Sequence, residues 1–310
     1  MKIVFMGTPQ FAVIALAAIF KSKHEILGVV TASDKPAGRG NKIQQSAVKK
    51  YAVENNLSIY QPEKLKDENF VKNLKELNAD LFVVVAFRML PAIIWKIPRK
   101  GTINLHASIL PNYRGAAPIN WAIINGEKES GVTTFFINDK IDTGDVLLNE
   151  KTKIKDGETA GELHNELMHI GSKLLLKTIN TIEKENYQTT KQKKTENQSV
   201  APKLKRDNTK INWSKSAFSI RQLILGLNPY PGAWTIINKE KKPYNFKIFN
   251  AKLSDQKVPE KNILIDDNKL FVGTKTNALE LIEVQIEGKK RMMVNEFLKG
   301  NKNIKNYILL

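Results

Sequence analysis

Cysteine is absent from all 310 residues. That single absence excludes disulfides, a thiolate nucleophile and any cysteine-built zinc or iron–sulfur centre. Also missing is an apolar run close to the roughly 20 residues that a membrane-spanning helix needs. The opening residues, MKIVFMGTPQFA, enter a strand-like stretch without the zones of a signal peptide and without the Arg/Ser-rich character of a transit peptide. A cytoplasmic location is the expectation. No glycine fingerprint follows the first apolar run, since FMGTPQF supplies one glycine and then Thr-Pro. A dinucleotide-dependent oxidoreductase is therefore disfavoured. Histidine is scarce, with four in the chain. His164 and His169 are five apart, which is not the spacing of a zinc-binding H-E-x-x-H helix, and His24 sits in a polar turn. These three read as structural or surface residues, and no metal site is expected.

Positive charge is abundant. Lys and Arg total 49 against 31 Asp and Glu, a formal net charge of +18. Arginine supplies only seven of the 49, so a compositional drift toward Lys, Ile and Asn accounts for part of the total. It does not account for the distribution. Residues 206–310 hold 19 basic and 10 acidic side chains, a density of net charge about twice that of residues 1–205. A basic module joined to a less basic one points to a polyanionic partner.

The first half alternates apolar runs with helical patterns. KIVFMG (2–7), EILGVVT (25–31), DLFVVVAF (80–87), GTINLH, GVTTFFIN (131–138) and DVLLNEKTKI (145–154) read as strands. Residues 11–21 and 159–185 carry helical spacing. Continuous apolar strands separated by helices predict a mostly parallel, Rossmann-like α/β sheet covered on both faces. Between Glu183 and Lys205 the chain turns polar and rich in Gln, Thr and Lys, which reads as a linker. A helix around 216–227, a hard turn at NPYPGAW and a series of short strands follow, the pattern of a smaller OB-like β-barrel. The expected domains are 1–183, a linker over 184–205 and 206–310.

The chemistry concentrates at INLHASILPNYRG, residues 103–115. Asn104 and His106 are two apart on a strand, so their side chains share one side where the strand runs out. In open α/β sheets that end is where ligands bind. Downstream, NDKIDTGDVL places Asp139, Asp142 and Asp145 in a turn, and Asp142 precedes a Thr-Gly able to press it inward. A carboxylate there reaches His106 if the preceding strand is a sheet neighbour. With no cysteine and no serine in a nucleophile elbow, an amide, an imidazole and a carboxylate suit direct group transfer between two substrates. The protein would then stabilise a tetrahedral oxyanion, a contribution of about 3–4 kcal/mol per donor. A second feature is TASDKPAGRGNK, where Lys35, Arg39 and Lys42 ride a glycine-flanked loop suited to phosphates.

As an ordered set, Asn104-x-His106-x-Ser108-Ile109-Leu110-Pro111, Tyr113-Arg114-Gly115 and Asp142-Thr143-Gly144-Asp145 resemble the folate-dependent formyltransferases. The resemblance runs the length of the chain, through DKPAGRGNK, APKL (201–204), INWS (211–214) and NPYPGAW. It implies 10-formyltetrahydrofolate as donor, with Asn104 and His106 polarising the formyl carbonyl and Asp142 orienting His106. It implies that Ser108, Ile109, Leu110 and Pro111 line the folate site. The loop with Arg39, the C-terminal motifs and the basic barrel are similar to those of the branch that formylates methionyl-initiator tRNA. Lys35, Arg39 and Lys42 would then meet the acceptor end, and the barrel would hold the acceptor arm. Two other readings share parts of this pattern: a nucleotide-sugar N-formyltransferase, and a catalytically silent tRNA-binding protein. One departure is Arg88, where many family members have glycine.

Overall fold

The computed structural model describes residues 1–37, 42–193, 198–239, 242–301, 304 and 308–309. The chain opens on β1 (Lys2–Gly7), five of whose six residues are buried, and turns into α1 (Gln10–Phe20). A Cβ on Gly7 would stand 2.6 Å from that of Ala12, so glycine permits the helix to start this close to the strand. Next come β2 (Glu25–Val30), the hairpin of β3 (Lys35–Ala37) and β4 (Lys42–Gln44), α2 (Ala47–Glu54) and β5 (Ile59–Tyr60). Asp67 accepts a hydrogen bond from the Phe70 amide and so caps α3 (Glu68–Glu76), which leads to β6 (Leu81–Val85). Then follow α4 (Ala92–Trp95), β7 (Thr102–His106), β8 (Arg114–Gly115), α5 (Pro118–Ile124), β9 (Glu129–Phe136) and β10 (Val146–Lys153). The long α6 (Ala160–Glu183) starts from a capping box. The Glu162 amide donates to Thr159 Oγ1 at 3.2 Å, and the Thr159 amide donates to Glu162 Oε2 at 2.8 Å.

The remaining elements are β11 (Val200–Ala201), α7 (Ala217–Gly226), β12 (Ala233–Lys239), β13 (Lys242–Leu253), β14 (Ile263–Asp266), β15 (Lys269–Val272), β16 (Leu279–Ile286), β17 (Met292–Met293), α8 (Val294–Lys299) and β18 (Ile308–Leu309). Two compact units divide the chain. The first comprises Met1–Gly115, Glu129–Thr152 and His164–Val200; the second comprises Ala116–Lys128, Lys153–Leu163 and Ala201–Leu310.

The first unit holds a seven-stranded sheet in the order β10-β9-β7-β6-β1-β2-β5. Pairs β1–β2, β1–β6, β2–β5 and β6–β7 are parallel, and β9 joins β7 antiparallel. The expected mostly parallel α/β arrangement is therefore present. One strand is shorter than the apolar run suggested. β6 stops at Val85 because Ala86 takes a left-handed φ of 48°, which leaves the sheet before Phe87. α6 lies against the Leu105 face of β7, where Gly171 makes room for the Leu105 side chain. Asn104 and His106 point to the opposite side.

The second unit is β-rich and antiparallel, in the order β14-β15-β16-β13-β12-β18, with β17 pairing β16. Its core gathers Trp213, Ile220, Ile224, Phe246, Leu281 and Phe297. Trp213 is buried and its indole donates to Thr235 Oγ1 at 3.2 Å, so the ring leaves no unpaired polar atom. α5 docks on α7: the Asn120 amide donates to the Gly226 carbonyl at 2.7 Å, and a Cβ on Gly226 would meet Ile124 at 2.4 Å. Among the described residues no helix is long and apolar enough to cross a membrane.

Candidate active site

β7 delivers Asn104 and His106 to the carboxyl end of the sheet. Asn104 is half-buried, and among the described residues its side chain makes no hydrogen bond. It therefore offers an unspent amide donor. His106 is 6% exposed, and its Nε2 lies 2.9 Å from the Tyr113 carbonyl oxygen. A carbonyl only accepts, so Nε2 carries a proton and donates it there. The other ring nitrogen, Nδ1, faces Asp142 Oδ2 at 3.8 Å, an electrostatic contact rather than a hydrogen bond.

β9 is the sheet neighbour of β7, yet adjacency alone does not bring Asp142 to His106. The strands run antiparallel, with Ile103 opposite Phe136 and His106 opposite Thr133. The end of β9 thus lies about 10 Å from His106, three residues at roughly 3.3 Å each. The loop after β9 closes that distance by folding back. Gly144 lies so close to β9 that a Cβ would stand 1.6 Å from the Phe136 carbonyl oxygen. Thr143 Oγ1 and the Lys140 amide both donate to Asn138 Oδ1, at 2.9 and 3.0 Å, which ties the base of the loop. Asp142 takes a left-handed φ of 52°, and its Oδ2 accepts from the Gly115 amide at 2.9 Å. Of the three aspartates in the turn, Asp142 is the one set beside the imidazole.

The Ser108–Pro111 segment is stapled beside this group by a residue with no sequence signature. Thr133 Oγ1 donates to the Ser108 carbonyl at 2.7 Å and accepts from the Leu110 amide at 3.2 Å. Ser108 is buried, and its hydroxyl donates to the Asn112 carbonyl at 2.6 Å. Gly131 leaves the space that Ile109 fills. The Leu110–Pro111 peptide is cis, and the Gln198 amide donates to the Pro111 carbonyl.

A second missed residue is Gln192, in the polar segment read as a linker. Its Nε2 donates to the carbonyls of Asp142 and Gly144 at 3.1 and 2.7 Å, and its Oε1 accepts from Arg114 Nε and Nη2 at 3.1 and 2.7 Å. Composition could not reveal this, because a polar stretch looks alike whether solvated or bonded. Burial pulls the Arg114 guanidinium below its ordinary pKa, and the Asp142 charge opposes that pull. Arg88 clamps one loop to another, donating to the carbonyls of Glu63 (2.8 Å) and Pro62.

Lys35 is exposed on β3, and Lys42 pairs through its backbone with Ala37; Arg39 lies outside the described residues. No hydrogen bond or ion pair among the described residues joins this hairpin to Asn104, His106 or Asp142. His24 is buried, with Nε2 3.1 Å from Asn180 Oδ1, and His164 packs edge-on against Phe11 at 5.3 Å. Among the described residues no cluster of three His, Asp or Glu side chains is arranged to hold a metal ion.

A family model described as formyl transferase matches residues 1–179, and its C-terminal-domain companion matches residues 203–302. The chain belongs to the formyl transferase family. Among similar proteins, the methionyl-tRNA formyltransferase of Flavobacterium johnsoniae is 51% identical over 302 residues, covering 97% of this chain and 96% of that one. An N-formyltransferase from Helicobacter canadensis, solved with folinic acid and dTDP-3-aminofucose, superposes with a TM-score of 0.65 at 21% identity, over 91% of this chain and 98% of that one. HypX from Aquifex aeolicus, solved with tetrahydrofolic acid, gives 0.66 at 18% identity over 98% of this chain, which spans 48% of that protein. At such identities the two structures establish the fold that this formyl transferase shares with them.

Proposed function

We propose that this formyl transferase moves the formyl group of 10-formyltetrahydrofolate to the α-amino group of methionyl-initiator tRNA. The observation that carries the reading is an amide, Asn104, without a hydrogen-bond partner among the described residues, near an imidazole flanked by a carboxylate, in a chain half identical to a methionyl-tRNA formyltransferase along nearly its whole length. The folates bound by the two structural neighbours support a folate donor.

The α-amine of an aminoacyl ester is less basic than that of a free amino acid, so a neutral fraction is present near neutral pH. Its lone pair attacks the formyl carbon, and the carbonyl electron pair moves onto oxygen. Asn104 donates to that oxyanion, the species for which such donors give their largest stabilisation. Collapse breaks the bond from carbon to the folate nitrogen. That nitrogen gains a proton as the new amide nitrogen loses one, and the Asp142 carboxylate helps carry it from one to the other. Asp142 also acts through the ring, orienting His106 so that its Nε2–H can polarise the formyl carbonyl. A formyl oxygen seated at Nε2 competes with the Tyr113 carbonyl for the same proton.

Ser108, Ile109, Leu110 and Pro111 form the folate wall in this reading; the Thr133 staple and the buried Leu110 support a rigid surface there. Lys35, Arg39 and Lys42 meet the acceptor end of the tRNA, and the basic residues of 206–310 hold its phosphates. Residues 1–183 would carry the chemistry and 184–205 the connection.

The test is transfer of labelled formyl from 10-formyltetrahydrofolate to methionyl-tRNA, run beside His106→Ala with a dTDP-linked amino sugar as alternative acceptor. Transfer to tRNA that vanishes in the variant is expected. Binding of tRNA at low salt without turnover points instead to a silent binding protein, and transfer to the sugar alone points to a nucleotide-sugar enzyme.

A further inference from the structure

We infer that Gln192 is a positioning residue of this active site: backed by Arg114, its amide fixes the main chain of Asp142 so that the carboxylate faces His106. The inference rests on the reading above that Asp142 acts through His106.

Asp142 is a non-glycine residue in the left-handed region, at φ 52°. Such a conformation persists only when surrounding contacts over-determine it. Three hydrogen bonds do so here. The Gly115 amide holds the carboxylate at 2.9 Å. The Gln192 NH2 group spends one hydrogen on the Asp142 carbonyl and one on the Gly144 carbonyl, at 3.1 and 2.7 Å. Those two carbonyls bracket Thr143, so one side chain grips both sides of the turn that aims Asp142. The amide orientation follows from chemistry alone, since carbonyls only accept and a guanidinium only donates. Arg114 engages Gln192 Oε1 through Nε and Nη2, a fork that a single ammonium cannot reproduce.

The result is a closed ring. It runs from the Arg114 side chain to Gln192, to the Asp142 carbonyl, through Asp142 to its carboxylate, to the Gly115 amide, and by one peptide bond back to Arg114. Two residues upstream, Thr190 and Val146 exchange backbone hydrogen bonds at 2.8 and 2.9 Å, which pins the strand of chain that bears Gln192. Both ends of the Gln192 amide are spent within the ring. Its contribution is placement, where an error near 1 Å can cost about 100-fold in rate.

The experiment is steady-state kinetics of formyl transfer for Gln192→Met, Asp142→Asn and the double variant. Methionine keeps the length and volume of glutamine and removes both halves of the bonding. The expected result is a kcat lowered about 10- to 100-fold, with KM for both substrates within about twofold of wild type. Because Gln192 acts through Asp142, the double variant should be no slower than Asp142→Asn alone. Losses that multiply in the double variant, or a loss carried wholly by KM, would overturn the inference. A Gln192→Met enzyme as fast as wild type beside a crippled Asp142→Asn would overturn it while leaving the Asp142 reading standing. Full activity of Asp142→Asn would remove that reading, and the inference with it. Should Gln192→Met fail to fold, Arg114→Lys keeps the charge and loses the fork; the same kcat-selective loss is expected, and unchanged kcat would overturn the proposal.

Discussion

His106 donates through Nε2 to a main-chain carbonyl and turns Nδ1 toward a carboxylate, so both ring nitrogens face acceptors. Replacing Asp142 by asparagine removes the negative charge and keeps the shape. Formyl transfer should fall on the order of 10²- to 10⁴-fold, the usual worth of positioned acid–base groups. The tRNA dissociation constant should stay unchanged, and a filter-binding titration beside the activity assay checks both halves. His24 yields a different prediction. Burial lowers its pKa below the ordinary 6.5, against the raising influence of the Asn180 hydrogen bond and the Glu183 charge. A histidine with a depressed pKa binds fewer protons folded than unfolded, so stability is full above about 6.5 and declines as the pH falls below that value. Thermal unfolding midpoints measured from pH 8 to pH 5 should drop for the wild type. They should drop less for His24→Gln.

At the scale of elements, the loop from Asn138 to Asp145 depends on contact with β9 that only glycine allows. A methyl on Gly144 would overlap the Phe136 carbonyl oxygen at 1.6 Å, and a backbone atom cannot swing aside as a side-chain tip can. Gly144→Ala must lift the loop, breaking the Gln192 bonds to Asp142 and Gly144. The expected cost is about 2 kcal/mol or more, with transfer activity falling in parallel. Chemical denaturation at unchanged m-value measures the first, and the transfer assay the second. The hairpin of β3 and β4 is supported differently. The Thr31 and Ser46 hydroxyls lie 2.7 Å apart across its base, and Asp34 is held between Lys49 and Gln61. Lys35 is thus presented from an anchored stem.

For the whole molecule, the two compact units change how the basic C-terminal segment should be tested. Cutting the chain before Arg206 would strip α7 from α5, leaving Ile124 and the Asn120 amide without the surface they pack on. Lost tRNA affinity in such a truncation would not separate charge from folding. Neutralising exposed lysines does. Lys242→Gln, Lys252→Gln and Lys269→Gln together remove three positive charges from exposed positions of β13 and β15. Where these lysines meet tRNA phosphates, log affinity against log salt should flatten by up to about one unit of slope per contact, with kcat at saturating tRNA unchanged. An unaltered slope would mean that these three charges do not touch the nucleic acid.

Local rules carried much of this protein in its sequence. Apolar runs and helical spacing gave the alternation of strands and helices, because periodicity is set within a few residues. The two-residue step from Asn104 to His106 placed both on one side of β7 for the same reason. The ordered motifs named the family before any coordinates. Tertiary structure decided what depends on distant pieces of chain. Gly115 reaches Asp142 across 27 residues and Gln192 reaches it across 50, distances over which composition and spacing are silent. The choice of Asp142 among three aspartates rests on a fold-back that sheet order alone would not supply, since β9 ends beside Ile103. The grouping of residues 116–128 and 153–163 with the C-terminal unit is likewise settled by packing, because a chain may leave a compact unit and return without any change in local pattern.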